Sequence, residues 1–366
     1  MPPIDGRATT GRPIQGKGVP VTARRRPAPT IADVAALAEV SVGTASKALN
    51  GRGQLRAETR ERVRAAAQQL GFYPNALAQN LLTGRSYTVG LITTDSFGRF
   101  TIPIMLGVED ALGAGQISVF LCDGRDDPIR EQHYIRTLLA RRVDGIVVTG
   151  RRADPRPPIG QNITVPVVYA MTQSTNPDDC SVAPDDEAGG RIAIAHLLAT
   201  GRSRIGHITG PERFLAARLR AYGALGVLAD AGLELAAPGT LHGDWSEEWG
   251  RQATHILLRA NPDLDAIFCG SDQVARGVAE ALRDSGRRIP DDVALVGYDN
   301  WEVVAAACRP PLTTVDMNLS QLGRYAADRL LEAIDGRPAH GLHKLPCQLV
   351  VRESTGARVT AAHRVG

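Results

Sequence analysis

The chain has 366 residues, 43% apolar but only 4% aromatic, enough for two or three domains with cores of aliphatic side chains and alanine. No apolar run is long enough to cross a bilayer and no hydrophobic leader opens the sequence, so neither a membrane partner nor secretion is expected, and the predicted location is cytoplasmic and nucleoid-associated. The net charge of +3 conceals an asymmetry: residues 1–86 hold 13 Lys and Arg against 5 Asp and Glu, net +8, leaving −5 on the remainder. A basic head on an acidic body is the footprint of a nucleic-acid-binding domain fused to something else. Cys122, Cys180, Cys269, Cys308 and Cys347 are scattered without metal-ligand spacing and read as reduced core thiols; neither a metal nor a cofactor is expected.

Residues 1–29, rich in Pro, Gly, Thr and Arg and without periodicity, read as a disordered basic arm. Thr30, with Asp33 three residues on, is a capping pair for a first helix whose Val34, Ala35 and Ala38 share a face. Ser41 is a suitable N-cap for a second helix, whose Ala45, Ala48 and Leu49 point back at the first. Outward lie Val42, Gly43, Thr44, Ser46 and Lys47, with Asn50 ending the helix. This is the geometry of a helix-turn-helix, whose second helix enters the DNA major groove; periodicity fits an ordinary helical hairpin equally well. A third helix follows on Val63, Ala66, Ala67 and Leu70. It stops at Gly71 and begins at Leu55–Arg56–Ala57 without a good capping side chain. Pro74 to Gly84 holds about two helical turns, too few to be stable alone, with Leu77, Ala78, Leu81 and Leu82 on them; such a segment folds when a partner is present.

From Tyr87 the pattern becomes strand and helix in alternation. Strands are predicted at 88–93, 117–122, 145–150, 166–171, 204–210, 264–270, 293–299 and 348–353. Helices are predicted at 102–114, 128–142, 187–200, 216–231, 246–260, 272–285 and 319–335. The alternation implies parallel sheets with crossover helices, too many strands for one compact sheet, hence two doubly wound lobes with a ligand cleft at the strand carboxyl ends.

The sequence resembles the LacI/GalR family of bacterial transcription regulators from about Thr30 to Glu353. The motifs that carry it are TIADVAALAEVSVGTASKALNG, LGFYPNALAQNLLTG, GSDQVARGVAEAL (270–282), IPDDVALVGYDN (289–300), RPPLTTVDMNLSQLG (309–323) and LVVRES (349–354). The resemblance implies an N-terminal all-α helix-turn-helix domain at 30–73, a hinge helix and linker at 74–86, and a periplasmic-binding-protein-like core at 87–353. That core has two lobes with crossovers near 186 and 316, and a disordered tail follows at 354–366. It implies a homodimer on a palindromic double-stranded operator, each copy reading one half-site. Val42, Gly43, Thr44, Ser46, Lys47 and Asn50 then face DNA: Lys47 donates to guanine or phosphate, Val42 touches a thymine methyl, Thr44 and Ser46 hold phosphates, and Asn50 caps the helix. Gly43 contributes no side chain where the family often chooses bases. Leu81, with Ala78 beside it, resembles a hinge leucine that wedges into the minor groove.

No nucleophile elbow, Walker loop or HExxH occurs, so no catalytic residue is expected and the chain reads as a non-enzyme. The resemblance assigns the core a small effector, a sugar, that closes the lobes. Arg220 in AARLRAYG and Asp299 in GYDN match its ligand-binding pair. Trp245 in HGDWSEE falls where some members stack a sugar, and Asp95, Phe97 and Phe100 in TTDSFGRF would form the opposite wall. Asp185, Ser271 and Trp301 complete the expected effector set. A purine- or corepressor-responsive regulator is the alternative, and a solute-binding protein is disfavoured by the basic head. The tail lacks leucine heptads, which predicts a dimer rather than a tetramer.

Overall fold

The computed structural model describes residues 29–50, 53–72, 85–113 and 117–356. The predicted hinge residues Ala78 and Leu81, most of the basic arm and most of the tail lie outside them. The chain divides into two compact units, residues 1–82 and 83–366.

The first unit holds three helices, α1 (Ile31–Leu37), α2 (Val42–Leu49) and α3 (Ala57–Leu70). Thr30 and Asp33 form a reciprocal capping box: the Asp33 N–H donates to Thr30 Oγ1 at 3.3 Å and the Thr30 N–H to Asp33 Oδ2 at 2.7 Å. Glu39 takes a left-handed φ of 53° in the turn, and Ser41 then accepts the Thr44 N–H at 3.1 Å to start α2. As its sequence foreshadows, α3 starts at Arg56 without a side-chain cap and ends on Gly71 at φ 62°. Val34, Ala35, Ala38, Ala45, Ala48, Val63, Ala66 and Ala67 are buried together. Small alanines at this seam let the helices approach closely. Arg62 Nε also donates to the Ala38 carbonyl at 2.9 Å, tying α3 to the end of α1.

The second unit carries two six-stranded sheets. One has the order β13-β7-β5-β3-β1-β2 and is wholly parallel. Its strands are β1 (Thr88–Thr93), β2 (Ser118–Asp123), β3 (Gly145–Thr149), β5 (Val167–Ala170), β7 (Cys180–Pro184) and β13 (Gly341–Leu345). The other has the order β14-β12-β11-β10-β8-β9, parallel except for β14. It is built from β8 (Ile205–Thr209), β9 (Thr240–His242), β10 (Ala266–Cys269), β11 (Ala294–Tyr298), β12 (Thr313–Asp316) and β14 (Gln348–Val350). The short β4 (Pro155–Arg156) and β6 (Gln173–Ser174) pair with each other. Helices α4 (Thr101–Ala111), α5 (Pro128–Ala140), α6 (Asp186–Ala199), α7 (Leu215–Asp230), α8 (Glu247–Ala260), α9 (Asp272–Asp284), α10 (Glu302–Ala305) and α11 (Leu319–Ile334) follow. A 3-10 turn, Glu353–Thr355, corrects the expected start of the disordered tail at 354: Ser354 and Thr355 are buried, the Ser354 hydroxyl donating to the Leu295 carbonyl at 2.6 Å.

The chain passes between the lobes three times: from β7 into α6, from β12 into α11, and from β13 to β14 through Pro346–Cys347. The third passage corrects the two-crossover expectation. It was hidden because β13, GLHKL, is a half-polar edge strand with alternating burial and carries no apolar run.

Three helix pairs cross with a glycine on each side. On α6 and α7, a Cβ at Gly190 would lie 2.2 Å from the Arg220 carbonyl oxygen, and one at Gly223 2.0 Å from that of Glu187. This close crossing sets the base of Arg220 directly against α6.

Candidate ligand cleft and nucleic-acid interface

A cleft of about 1040 Å3 lies between the lobes, walled by the loops that leave the carboxyl ends of the strands. From the first lobe come Asp95, Phe97, Arg99 and Phe100 after β1, and Arg151 to Asp154 after β3. From the second come Phe214, Arg220, Trp245, Ser271 and Asp299 to Trp301.

Arg220 is 4% exposed. Its Nε donates to Asp186 Oδ1 at 2.8 Å and its Nη1 to the Gly270 carbonyl at 2.6 Å, with Asp299 Oδ1 3.6 Å away. Its guanidinium stacks 3.6 Å from the Tyr298 ring centroid and 5.8 Å from that of Trp245. Burial opposes the charge, but Asp186, Tyr298 and Asp299 more than offset it, so the group is held as a cation.

Asp299 follows β11 with φ 102°, and Asn300 with φ 48°. Consecutive left-handed residues are costly and persist where neighbours fix them. Here the Asp299 N–H donates to the Val315 carbonyl at 2.8 Å, and Asn300 Nδ2 to Asp316 Oδ2 at 3.0 Å, while Arg352 Nη2 donates to Asn300 Oδ1 at 2.8 Å. The result aims the Asp299 carboxylate at Arg99 of the other lobe, with which it pairs. The Arg99 guanidinium carbon lies over Trp301, 4.5 Å from its ring centroid. A second contact crosses the cleft where the Leu215 N–H donates to Asp154 Oδ1 at 2.8 Å.

Burial raises the Asp299 pKa despite Arg99 and Arg220. It also raises that of Asp272, behind Asp299, whose charge works in the same direction. Asp272 accepts the Trp301 N–H at 2.7 Å and the Thr314 hydroxyl at 2.5 Å, so it anchors the loop that carries Asp299.

Of the effector residues proposed from sequence, Asp95, Phe97, Phe100, Arg220, Trp245, Ser271, Asp299 and Trp301 line this one cleft. Asp185 does not. It caps α6, its Oδ1 accepting the Ala188 N–H at 3.1 Å, and the next residue, Asp186, turns inward to Arg220 instead. Asp95 reaches the cleft wall but spends Oδ2 on the N–H groups of Phe100 and Thr101, at 2.8 and 3.0 Å, which shapes the loop. Ser271 likewise caps α9 by accepting the Val274 N–H at 3.2 Å. Phe97 sits at the mouth, 91% exposed. Arg99, Asp154, Asp186 and Asp272 were missed. Arg99 pairs with a residue 200 positions away, which no local pattern announces, whereas Asp272 stood inside the GSDQVARG motif.

In the first unit α2 presents Val42, 49% exposed, beside Gly43, where a Cβ would meet nothing closer than Ser41 Oγ at 3.8 Å. Lys47 is exposed. Thr44 shares its hydroxyl with Ser41 at 2.9 Å, and Asn50 Nδ2 donates to Ser46 Oγ at 3.3 Å while the Asn50 N–H bonds back to Ser46. Val42 and Lys47 therefore project most directly, with Thr44, Ser46 and Asn50 engaged within the helix.

Among the described residues no helix is long and apolar enough to cross a membrane, and no cluster of His, Cys, Asp or Glu could hold a metal ion. A helix-turn-helix unit joined to a two-lobed cleft at strand ends defines a ligand-responsive DNA-binding regulator.

Residues 30–75 match the profile of the bacterial regulatory proteins of the lacI family, and residues 194–355 that of the periplasmic binding protein-like domain. The transcriptional regulator CelR of Thermobifida fusca is 36% identical over 339 residues, 90% of this chain and 99% of that protein. A solved CelR–cellobiose complex is 34% identical with a TM-score of 0.63, over 89% of this chain and 99% of that one. The lac repressor dimer bound to operator and the anti-inducer ONPF is 29% identical with a TM-score of 0.70, over 90% and 99%. The chain belongs to the lacI family of bacterial regulatory proteins.

Proposed function

We propose that this regulator is a repressor that binds a near-palindromic operator as a homodimer, its DNA affinity switched by a small neutral sugar held in the cleft. The observation that carries the sugar reading is the Arg220–Asp299 pair beside Trp245. Buried charged groups hydrogen-bond vicinal hydroxyls, and an aromatic face covers the apolar C–H patch of the ring. Arginines and carboxylates balance closely along the walls, which favours a neutral ligand over an ion. The solved relative with cellobiose supports the same class.

On the DNA side Val42 and Lys47 read bases. Gly43 lets the backbone approach, and Thr44, Ser46 and Asn50 steady the helix near phosphates. Ala78 and Leu81 of the 74–86 hinge meet the minor groove. Dimerisation is supported by exposed apolar side chains on edge strand β2 (Phe120, Leu121), on α4 (Leu106) and on α7 (Tyr222, Leu225). Sugar binding changes the lobe setting, and by linkage the DNA affinity changes as far as the ligand's preference for one state allows. A thermal-shift screen of the full chain against sugars and purines tests this: a sugar hit lost in Asp299→Asn is expected. A purine hit, or a sugar hit retained in that variant, contradicts the reading.

A further inference from the structure

The two helices that meet DNA carry little charge to hold it. Residues 30–50, which span α1 and α2, contain one cation, Lys47, against Asp33 and Glu39, a net of −1. On α3, Arg60, Arg62 and Arg64 stand against Glu58 and Glu61, net +1. Part of that is already engaged: Arg62 Nε donates to the Ala38 carbonyl at 2.9 Å, and Arg64 lies 4.0 Å from Glu61. Helix N-termini attract phosphate, but the start of α1 is occupied by the Asp33 carboxylate, which accepts the Thr30 N–H at 2.7 Å. A DNA duplex carries one negative charge per about 1.7 Å, and the sequence-independent part of affinity scales with the phosphates a protein neutralises. The folded helices supply almost none of that.

The charge stands ahead of them. Residues 1–29 hold Arg7, Arg12, Lys17, Arg24, Arg25 and Arg26 against Asp5, net +5, and the lacI-family match begins only at residue 30. The Thr30–Asp33 capping box closes the first turn of α1, and Pro29 before it has no N–H to offer, so α1 does not run back into this segment. Arg24–Arg26 stand four to six residues ahead of Thr30, a reach of about 13–20 Å along an extended chain. That is enough to pass from α1 across the strand that borders a major groove about 12 Å wide. We propose that the 1–29 arm, through Arg24–Arg26, binds phosphates of the DNA flanking each half-site, so that the arm supplies the charge and α2 the sequence. The assignment rests on the DNA-binding reading above. It concerns phosphates, which position without specifying, and not base edges.

Fluorescence anisotropy of the full chain tests the assignment on a duplex selected from a palindromic library and on an unrelated duplex, between about 50 and 200 mM KCl. The triple variant Arg24→Gln, Arg25→Gln, Arg26→Gln is expected to bind both duplexes more weakly at low salt. Its slope of log affinity against log salt should be shallower by about 2.7 for each protomer, a difference of about 40-fold across that range. The ratio of affinities for the two duplexes should stay at the wild-type value. The same three positions changed to Lys keep the charge and should keep the slope. An unchanged slope in the Gln variant overturns the arm as a phosphate binder and leaves α2 as the reader of DNA. A loss confined to the selected duplex, or a Lys variant as weak as the Gln variant, overturns it in favour of base reading in the minor groove. No binding of either duplex by the wild type overturns the DNA reading itself, and the arm assignment with it.

Discussion

Arg220 is the residue on which stability and binding meet, and the two roles can be separated. Arg220→Met keeps the length of the side chain but removes its charge. Among the described residues the buried Asp186 carboxylate then loses its one side-chain partner, because Oδ1 accepts from Arg220 and Oδ2 has no hydrogen bond. Breaking one side of a buried pair costs about 3–5 kcal/mol, since the remaining charge is stranded. Adding Asp186→Asn removes that charge and leaves an unsatisfied amide, a cost nearer 1–3 kcal/mol. The double variant should therefore be more stable than Arg220→Met by about 2 kcal/mol. Urea unfolding followed by tryptophan fluorescence reads the second unit alone, because Trp245, Trp249 and Trp301 are the chain's three tryptophans and all lie there. The double variant should regain stability yet stay blind to the sugar. A cost below about 1 kcal/mol for Arg220→Met, or a double variant no more stable than the single, would refute Arg220 as the counter-ion of Asp186.

Three further outcomes follow from the geometry. Arg99 occupies Asp299 and covers Trp301, so Arg99→Met should tighten sugar binding by up to about ten-fold in calorimetry; weaker binding would make Arg99 a ligand partner instead. Gly223→Ala forces a Cβ to 2.0 Å from the Glu187 carbonyl oxygen and should cost about 1–3 kcal/mol in urea unfolding; an unchanged midpoint would contradict the close α6–α7 crossing. His207 is wholly buried, with Nδ1 at 2.9 Å from the Phe268 carbonyl oxygen, and burial pushes its pKa down to about 4. The unfolded chain binds the proton first, so its contribution is intact above pH 6.5 and is lost as pH falls toward 4. Asp272, with its pKa pushed up by burial, works in the opposite sense, so the comparison must be with His207→Asn, which retains Asp272. The stability gap between wild type and variant should shift by about 3 kcal/mol between pH 6.5 and 4, in the variant's favour; a constant gap would contradict the buried neutral imidazole.

Features set by near neighbours were legible in the sequence. Thr30, Ser41 and Gly71 act within three or four residues, so spacing alone revealed the caps and stop of the first unit. The buried strands showed as apolar runs, and the residues after them, Asp299 above all, fell in the cleft. What stayed hidden depends on helix phase or on distant pairing. Asp185 and Asp186 are adjacent carboxylates, and the roughly 100° between successive helix positions decides which caps and which meets Arg220. The Arg99–Asp299 and Asp154–Leu215 contacts join loops of different lobes. Strand β13 lacks an apolar run because, among the described strands, it lies at the sheet edge and pairs with β7 on one side.

In the proposed function a cleft ligand governs the grip of α2 on DNA. The most direct test is fluorescence anisotropy of the full chain on duplexes selected from a palindromic library, with and without the sugar found by thermal shift, for wild type and Asp299→Asn. The sugar is expected to change wild-type affinity by about 5–150-fold, the usual range of such coupling, while Asp299→Asn binds the same DNA and does not respond. Palindrome binding that ignores the sugar in both proteins, or a response that persists in Asp299→Asn, would contradict it.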